Sequence, residues 1–170
     1  VERRVANPML PPALMSRPGF AAANLATFAL YAALSAILFF LPMTLVAGWG
    51  QPPIAASLIF LPLSVFIGVL SPRVGRLADR IGPGRPIAAG SAMVALGYAA
   101  MALAAPAQAF WTGVLPGAAL LGLGMSLVVA PLSTAVMAAA GPDAAGLASG
   151  VNNAISRGAG LISVAALGPV

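Results

Sequence analysis

Two long stretches of this 170-residue chain contain no charged residue: residues 18–72 and residues 86–142. Each is about 55 residues long, which is room for two membrane-crossing helices of about 20 residues and a tight connection. Only 6% of the chain is charged, whereas a soluble domain carries about 25%. Such a chain cannot cover itself with a solvated surface. It predicts an all-α fold, a polytopic transmembrane helix bundle.

The composition also excludes several kinds of chemistry. The chain has no cysteine and no histidine, and all eight of its basic residues are arginine. It therefore lacks the usual zinc ligands and the lysine that a Schiff base needs. We predict that the protein is not an enzyme and uses no cofactor or metal. The net charge of +5 does not predict a nucleic-acid partner, because the arginines flank apolar segments, where positive charge sets membrane topology.

Clusters of glycine and proline divide the apolar sequence into five predicted spans. Residues 1–19 are expected to form a cytoplasmic linker with a short interfacial segment from Met9 to Met15. The transmembrane bundle fills residues 20–170, with spans at about 20–46, 54–70, 87–104, 112–139 and 145–170. Prolines within these spans are expected to kink the helices: Pro42, Pro62, Pro116 and Pro131. We expect the chain to be an internal piece of a longer protein.

The distribution of arginine predicts the orientation of the bundle. Three arginines precede the first span, and four lie in the loop predicted over residues 71–86. The first and third connections carry no charge, and the fourth carries only Asp143. Positively charged connections stay on the cytoplasmic side. The N-terminus, the loop 71–86 and the Asp143 turn are therefore predicted to be cytoplasmic, in the inner (plasma) membrane of a bacterium.

Two spans carry polar residues at helical spacing. In the first span they share one face, which is either a cavity wall or a surface for hydrogen bonds between helices: Asn24, Thr27, Tyr31 and Ser35. In the fifth span another stripe combines small and polar residues: Gly146, Gly150, Asn153, Arg157 and Gly160. The small residues would allow close helix approach. Arg157 would lie near the middle of the membrane and need a partner outside this chain, unless its helix starts low enough to leave it near the headgroups.

The predicted loop has a definite order of residues. Gly75 and Gly82 would let the chain turn between antiparallel helices. Asp79 could accept hydrogen bonds at a helix N-terminus. The neighbouring arginines could pair with Asp79, with other carboxylates or with lipid phosphate: Arg76, Arg80 and Arg85. Charge alone favours a loop that only sets topology.

The pattern Gly75-x-x-x-Asp79-Arg80-x-Gly82 resembles the cytoplasmic loop signature of the major facilitator superfamily, which joins the second and third helices of each six-helix half. Pro83-Gly84 replace the basic residue usual after the second glycine, and Arg85 would stand in for it. The segments 7–11, 17–20, 48–62 and 145–157 resemble, in the same order, the C-terminal half of the fourteen-span drug:proton antiporter family.

The resemblance implies that the chain is five of the six helices of a C-terminal half. It implies that the first, second, fourth and fifth spans line a central cavity, with Asn24, Thr27, Tyr31, Ser35, Asn153 and Arg157 as candidate lining residues. It also implies a gating loop made of Gly75, Asp79, Arg80, Gly82 and Arg85. Asp79 would dock on the missing N-terminal half of the same transporter and hold the cytoplasmic side closed.

The predicted function is secondary active transport, with proton-coupled export of drugs or other small amphipathic solutes by alternating access. The expected partners are the missing half, the lipid bilayer, a small-molecule substrate and protons. No carboxylate lies within a predicted span, so a proton carrier would lie outside these residues. The alternatives are a twelve-span or facilitative transporter of a small metabolite and, from a different class, an intramembrane enzyme or a non-transport membrane scaffold. The missing histidine, cysteine and intramembrane acid argue against the enzyme.

Overall fold

The computed structural model describes residues 12–168, and within them the chain folds into helices without a strand. The all-α prediction is thus confirmed. The α-helices, in chain order, are α1 (Pro12–Met15), α2 (Pro18–Met43), α3 (Pro53–Ser57), α4 (Phe60–Ile81), α5 (Gly84–Ala104), α6 (Leu115–Ala140) and α7 (Ala145–Leu167). Two π-helical segments, Thr44–Gly48 and Phe110–Val114, follow α2 and precede α6. A 3₁₀ turn, Pro142–Ala144, leads into α7.

Four helical stretches of the described chain are long and apolar enough to cross a membrane: Pro18–Gly48, Pro53–Ile81, Gly84–Ala104 and Phe110–Ala140. The fifth predicted span corresponds to α7, which has 23 residues. At 1.5 Å per residue α7 is about 34 Å long, enough for a hydrocarbon layer of about 30 Å. It is not among the four stretches above because its polar residues make it less hydrophobic. Residues 1–11, with most of the predicted linker, lie outside the described part of the chain.

The loop predicted over residues 71–86 is mostly helical in the structure. Helix α4 continues to Ile81 and α5 begins at Gly84, so only Gly82 and Pro83 connect them. The prediction was wrong here because it ended the helix where the charges begin. Charge marks the end of the hydrocarbon layer, and a helix can continue beyond it into water. Pro72 lies inside α4 without ending it.

Prolines coincide with irregular helix geometry at several places. Pro42 lies one residue before the end of α2, directly ahead of the first π-helical segment. Pro116 is the second residue of α6, directly after the other π-helical segment. Proline has no N–H to donate within a helix, and π segments often accompany such interruptions. Pro131 lies in the interior of α6.

The helices group into two compact units, one comprising residues up to Ile37 and from Leu132 onward, the other Leu38–Pro131. In the first unit, apolar side chains from α1, α2, α6 and α7 form a buried cluster: Leu14, Phe20, Val136, Ala140 and Ala148. Thr27 lies against Asn152, and Ser35 lies against Gly160. Because these contacts follow the same order along both helices, α2 and α7 run parallel.

In the second unit, glycine pairs bring the backbones of α5 and α6 together. A Cβ on Gly124 would lie 2.7 Å from the carbonyl oxygen of Gly90, and a Cβ on Gly90 would lie 2.6 Å from that of Gly124. Gly97 and Gly117 face each other in the same way, at 2.8 and 2.9 Å. The order of the two pairs makes the helices antiparallel. Small residues allow such close approach in membranes, where dispersion contacts hold helices together.

Helix α4 packs against α6 through further small residues. A Cβ on Gly122 would lie 2.7 Å from the Cα of Leu63, and one on Gly75 would lie 3.3 Å from the Cβ of Ala130. Here both contacts follow the same order along the chain, so α4 and α6 run parallel. Alternating direction along α4, α5 and α6 is what three successive membrane spans require.

We expect Gly124→Ala to destabilise the complete protein, because the added methyl group meets the backbone of α5 rather than a movable side chain. Forcing extra volume into a packed contact costs about 1–3 kcal/mol. The measurement is the apparent melting temperature in detergent. Gly68→Ala is the matched control, since a Cβ at Gly68 has no neighbour within 4 Å. Equal melting temperatures for the two variants would contradict the packing described for α5 and α6.

Candidate functional site

The residues of the predicted gating loop lie on the last two turns of α4, in the two-residue connection and on the first turn of α5. Gly75 faces Ala130 of α6, and Ala78 is 2% exposed. Asp79, Arg80 and Arg85 are exposed. The small residues of the motif therefore hold α4 against its neighbours, while the charged residues point away from them.

Asp79 is unpartnered: across residues 12–168 no hydrogen bond or ion pair engages its carboxylate, and none of the possible pairings with Arg76, Arg80 or Arg85 is formed. Its position on the helix is also unfavourable, because it lies in the C-terminal part of α4 rather than at the expected N-terminus. The partial charge at a helix C-terminus is negative and disfavours an anion by about 0.3–1 kcal/mol. Arg80 lies in the last turn of α4, where its positive charge interacts favourably with the negative end of the helix.

Gly82 makes the reversal between α4 and α5 possible. Its backbone has φ 83° and ψ 150°, a region that only glycine occupies without strain. The turn is therefore as short as two residues. As a result Asp79 and Arg85 lie only a few residues from the same turn, on successive helices.

The polar face of α2 contacts α7. Thr27 is fully buried, and its Oγ1 hydrogen-bonds to Oδ1 of Asn152 at 2.7 Å and to the carbonyl oxygen of Ala23 at 3.0 Å. A Cβ on Gly160 would lie 2.7 Å from Oγ of Ser35. Of the two interpretations of this face, a cavity wall or a surface for contacts between helices, the geometry of Thr27 and Ser35 favours the contacts between helices.

Asn24 and Tyr31 complete this face. Asn24 is 4% exposed, and its Nδ2 donates to the carbonyl oxygen of Phe20 at 2.9 Å. Its Oδ1 is buried and has no hydrogen-bond partner in the described chain. Tyr31 is half-buried. The two residues thus retain polar atoms that contacts with the described helices do not satisfy.

Most of the stripe predicted on α7 lies on the opposite side from its packed face, and Gly160, which meets Ser35 of α2, is the exception. Ala148 and Ala159 are fully buried, whereas Gly146, Gly150, Asn153 and Arg157 are exposed. At 100° per residue, Arg157 lies about 180° around the helix from Ala148. The close approach expected at Gly146 and Gly150 does not occur within residues 12–168, where a Cβ at either would have open space.

The sequence did not single out two of the observed contacts. Asn152, rather than Asn153, meets α2, and the signal that could have found it is its spacing from the buried alanines, Ala148-x-x-x-Asn152 and Ala159 seven residues later. Arg17, counted only as a topology signal, donates from Nη1 to the carbonyl oxygens of Ala139 at 3.2 Å and Ala140 at 2.8 Å. These carbonyls lie at the C-terminal end of α6, where no further helical N–H can reach them.

An apolar cavity of about 420 Å³ opens between the beginnings of α4 and α6. It belongs to the second and fourth predicted spans. Its walls are aliphatic: Leu58, Pro62, Val65, Leu115, Pro116 and Ala119. Such a surface can hold hydrocarbon groups but offers them no polar recognition.

A sequence profile of the Major Facilitator Superfamily matches residues 3–164. The chain is 32% identical, over its full length, to the multidrug resistance protein Stp of Mycobacterium tuberculosis, of which it covers 31%. It is 34% identical, over 97% of its length, to the cephamycin export protein CmcT of Amycolatopsis lactamdurans, covering 34%. It is 31% identical, over 99% of its length, to the methylenomycin A resistance protein of Streptomyces coelicolor, covering 35%.

The chain therefore spans about a third of the length of the curated relatives that it matches. No solved structure matches the chain.

We expect Gly82→Ala to destabilise the turn between α4 and α5, because alanine at this backbone conformation costs about 1–3 kcal/mol. Gly84→Ala is the matched control, since Gly84 has an ordinary helical backbone and open space around a Cβ. The measurement is the melting temperature of each complete variant, together with limited proteolysis at the turn. A turn that tolerates both substitutions equally would contradict the positive φ assigned to Gly82.

Proposed function

The chain belongs to the Major Facilitator Superfamily, and we propose that it is part of the C-terminal half of a secondary active transporter that exports drugs or other small amphipathic solutes. The names of the relatives support this reading: multidrug resistance, cephamycin export and methylenomycin A resistance. Alternating access in such folds requires two halves that rock around a central site. The described helices would supply one side of that site.

The observation that carries the proposal is the unpartnered carboxylate of Asp79 at the end of α4. Placed at the disfavoured end of a helix, it gains most from a partner that this chain does not contain. The proposed partner is a helix N-terminus or cation in the missing N-terminal half. Contact there would hold the cytoplasmic side closed. The gating motif comprises Gly75, Asp79, Arg80, Gly82 and Arg85.

The proposed cavity wall is formed by the polar faces of α2 and α7. Asn153 and Arg157 are its exposed members, and Tyr31 is half-buried. Thr27 and Ser35 support the wall from behind, because they contact α7, and Asn24 bonds to the backbone of its own helix at Phe20. The apolar cavity near Pro62 and Pro116 belongs to the second unit and would by itself hold hydrocarbon groups of an amphipathic solute.

Proton coupling is the proposed driving force, but its carrier is to be sought elsewhere in the protein. The acids of the described chain are Asp79 and Asp143, and both lie near helix ends. An acid within the membrane is the usual proton carrier. The lipid bilayer, a small-molecule substrate and the missing half are the further proposed partners.

A twelve-span exporter or a facilitative transporter of a small metabolite is the second candidate. The composition of the cavity favours the exporter of amphipathic solutes over it. The aliphatic walls suit a hydrocarbon group, whereas a small hydrophilic metabolite would need several hydrogen-bonding groups there.

We expect Asp79→Asn to abolish most transport in the complete protein while leaving its melting temperature unchanged, because the side chain is exposed and makes no hydrogen bond or ion pair within the described helices. The measurement is efflux of a fluorescent amphipathic dye from proteoliposomes. Asp143→Asn is the matched control, as another exposed acid at a helix end, and it should transport normally. Undiminished efflux by Asp79→Asn would refute the gating role.

The proposed orientation places the end of α4 in the cytoplasm. The chain has no cysteine, so a single cysteine can be introduced at Arg80 in a complete protein from which any others have been removed. In intact cells we expect this Arg80→Cys variant to resist a membrane-impermeant maleimide and to react after permeabilisation. Gln108→Cys, in the connection at the other end of α5, should show the reverse. Labelling of position 80 in intact cells would overturn the topology.

A further inference from the structure

The middle of α7, a helix long enough to cross a membrane, carries a charged side chain. Arg157 lies about 18 Å along the helix from Ala145, close to its midpoint. A guanidinium at that depth is costly unless it faces protein or water. The charged residues next to the turn between α4 and α5 lie near helix ends. Arg73 does not: it lies close to the middle of α4 and, like Arg157, is exposed.

The geometry of α7 shows which way this charge points. Ala148 and Ala159 pack fully buried on one side of the helix, and Arg157 is exposed on the opposite side. Gly158 follows Arg157 in the chain and Gly150 lies two turns earlier, each with open space around a Cβ. Neither position crowds the exposed side of the helix, which leaves room for another group.

A single side chain holds the guanidinium in position. Nε of Arg157 donates to Oδ1 of Asn153 at 3.2 Å, one turn earlier. Across residues 12–168, the two terminal nitrogens make no hydrogen bond and face no carboxylate. These nitrogens form the planar fork that binds a carboxylate through two parallel hydrogen bonds.

The group that holds Arg157 is the neutral amide of Asn153, and this favours a ligand-binding role for Arg157 over a structural ion pair. An aspartate or glutamate at position 153 would cancel the positive charge, whereas the neutral amide orients the guanidinium and leaves the charge intact. The described spans contain no acid near their middle that could neutralise it. Within residues 12–168 the surroundings of Arg157 are therefore positive, which suits an anion of complementary geometry.

We propose that Arg157, oriented by Asn153, binds the carboxylate or a similar planar anionic group of the exported solute. This inference rests on the proposed export function and narrows its substrate class to amphipathic anions. The apolar part of such a solute would remain in the aliphatic surroundings of the spans. Arg157 is the binding residue, and Asn153 is a positioning residue that acts through it.

The test compares two probes that differ only in charge: dansyl-phenylalanine and its primary amide. Their dissociation constants are measured by dansyl fluorescence with the complete, purified protein. We expect the wild type to bind the acid about tenfold more tightly than the amide, as a charge-assisted pair requires. Arg157→Gln should weaken binding of the acid about tenfold and leave binding of the amide unchanged.

Further variants separate charge from orientation. Arg157→Lys keeps the charge but loses the planar fork, so it should retain part of the preference for the acid. Asn153→Asp supplies a carboxylate one turn away, which pairs with Arg157 and should abolish the preference. Asn153→Ala should reduce it without affecting the amide. Arg73→Gln is the control, because Arg73 is also exposed and bonded to its own helix, through Val69, at 2.6 Å.

The outcomes distinguish this inference from the export proposal. A wild type without preference for the acid, or without binding of either probe, overturns the anion site. So does an Arg157→Gln variant that loses both probes equally, since that pattern indicates a structural contact with another segment. If the binding pattern is as expected but proteoliposomes export neither probe, the export proposal fails and the anion site stands.

Discussion

The close approach of helix backbones to α6 is the constraint on which the second unit of the chain depends. In a membrane, apolar side chains gain nothing by leaving lipid for protein, so helices are held by dispersion contacts and scattered hydrogen bonds. Gly117, Gly122 and Gly124 remove the side chains that would keep α6 apart from α4 and α5. The contacts are then made by backbone atoms, which cannot rotate away. Helices joined in this way form a rigid support for the charged end of α4.

The first unit is held by different means, and the difference bears on function. Thr27, which is fully buried, forms a hydrogen bond with Asn152 between α2 and α7, and Ala148 packs in the same buried cluster as Phe20. That arrangement uses only one side of α7. The other side, with Asn153 and Arg157, remains exposed for a ligand or for the rest of the protein. The packed side of α7 and the side proposed to bind a solute are therefore opposite faces of one helix.

Much of this architecture could be predicted from the sequence. An uncharged stretch of about 55 residues has the length of two membrane spans and their connection, so it predicts membrane helices. The same signal failed at residues 71–81, because hydropathy reports where lipid ends and not where hydrogen bonding along a helix ends. It also could not separate Asn152 from Asn153. Adjacent residues lie about 100° apart on a helix, and the neighbouring helix decides which one is buried. The contact of Arg17 with Ala140 joins residues too distant in sequence for any local pattern to predict.

That last contact has a mechanical consequence. The final carbonyls of α6 have no donor within their own helix, and the guanidinium of Arg17 satisfies two of them at the start of α2. Separating the two helix ends would break both hydrogen bonds and leave the carbonyl oxygens and the guanidinium to water. The side chain of Arg17 therefore links the end of α6 to the beginning of α2. A displacement of the segment before α2 would act on the end of α6 directly, through this contact.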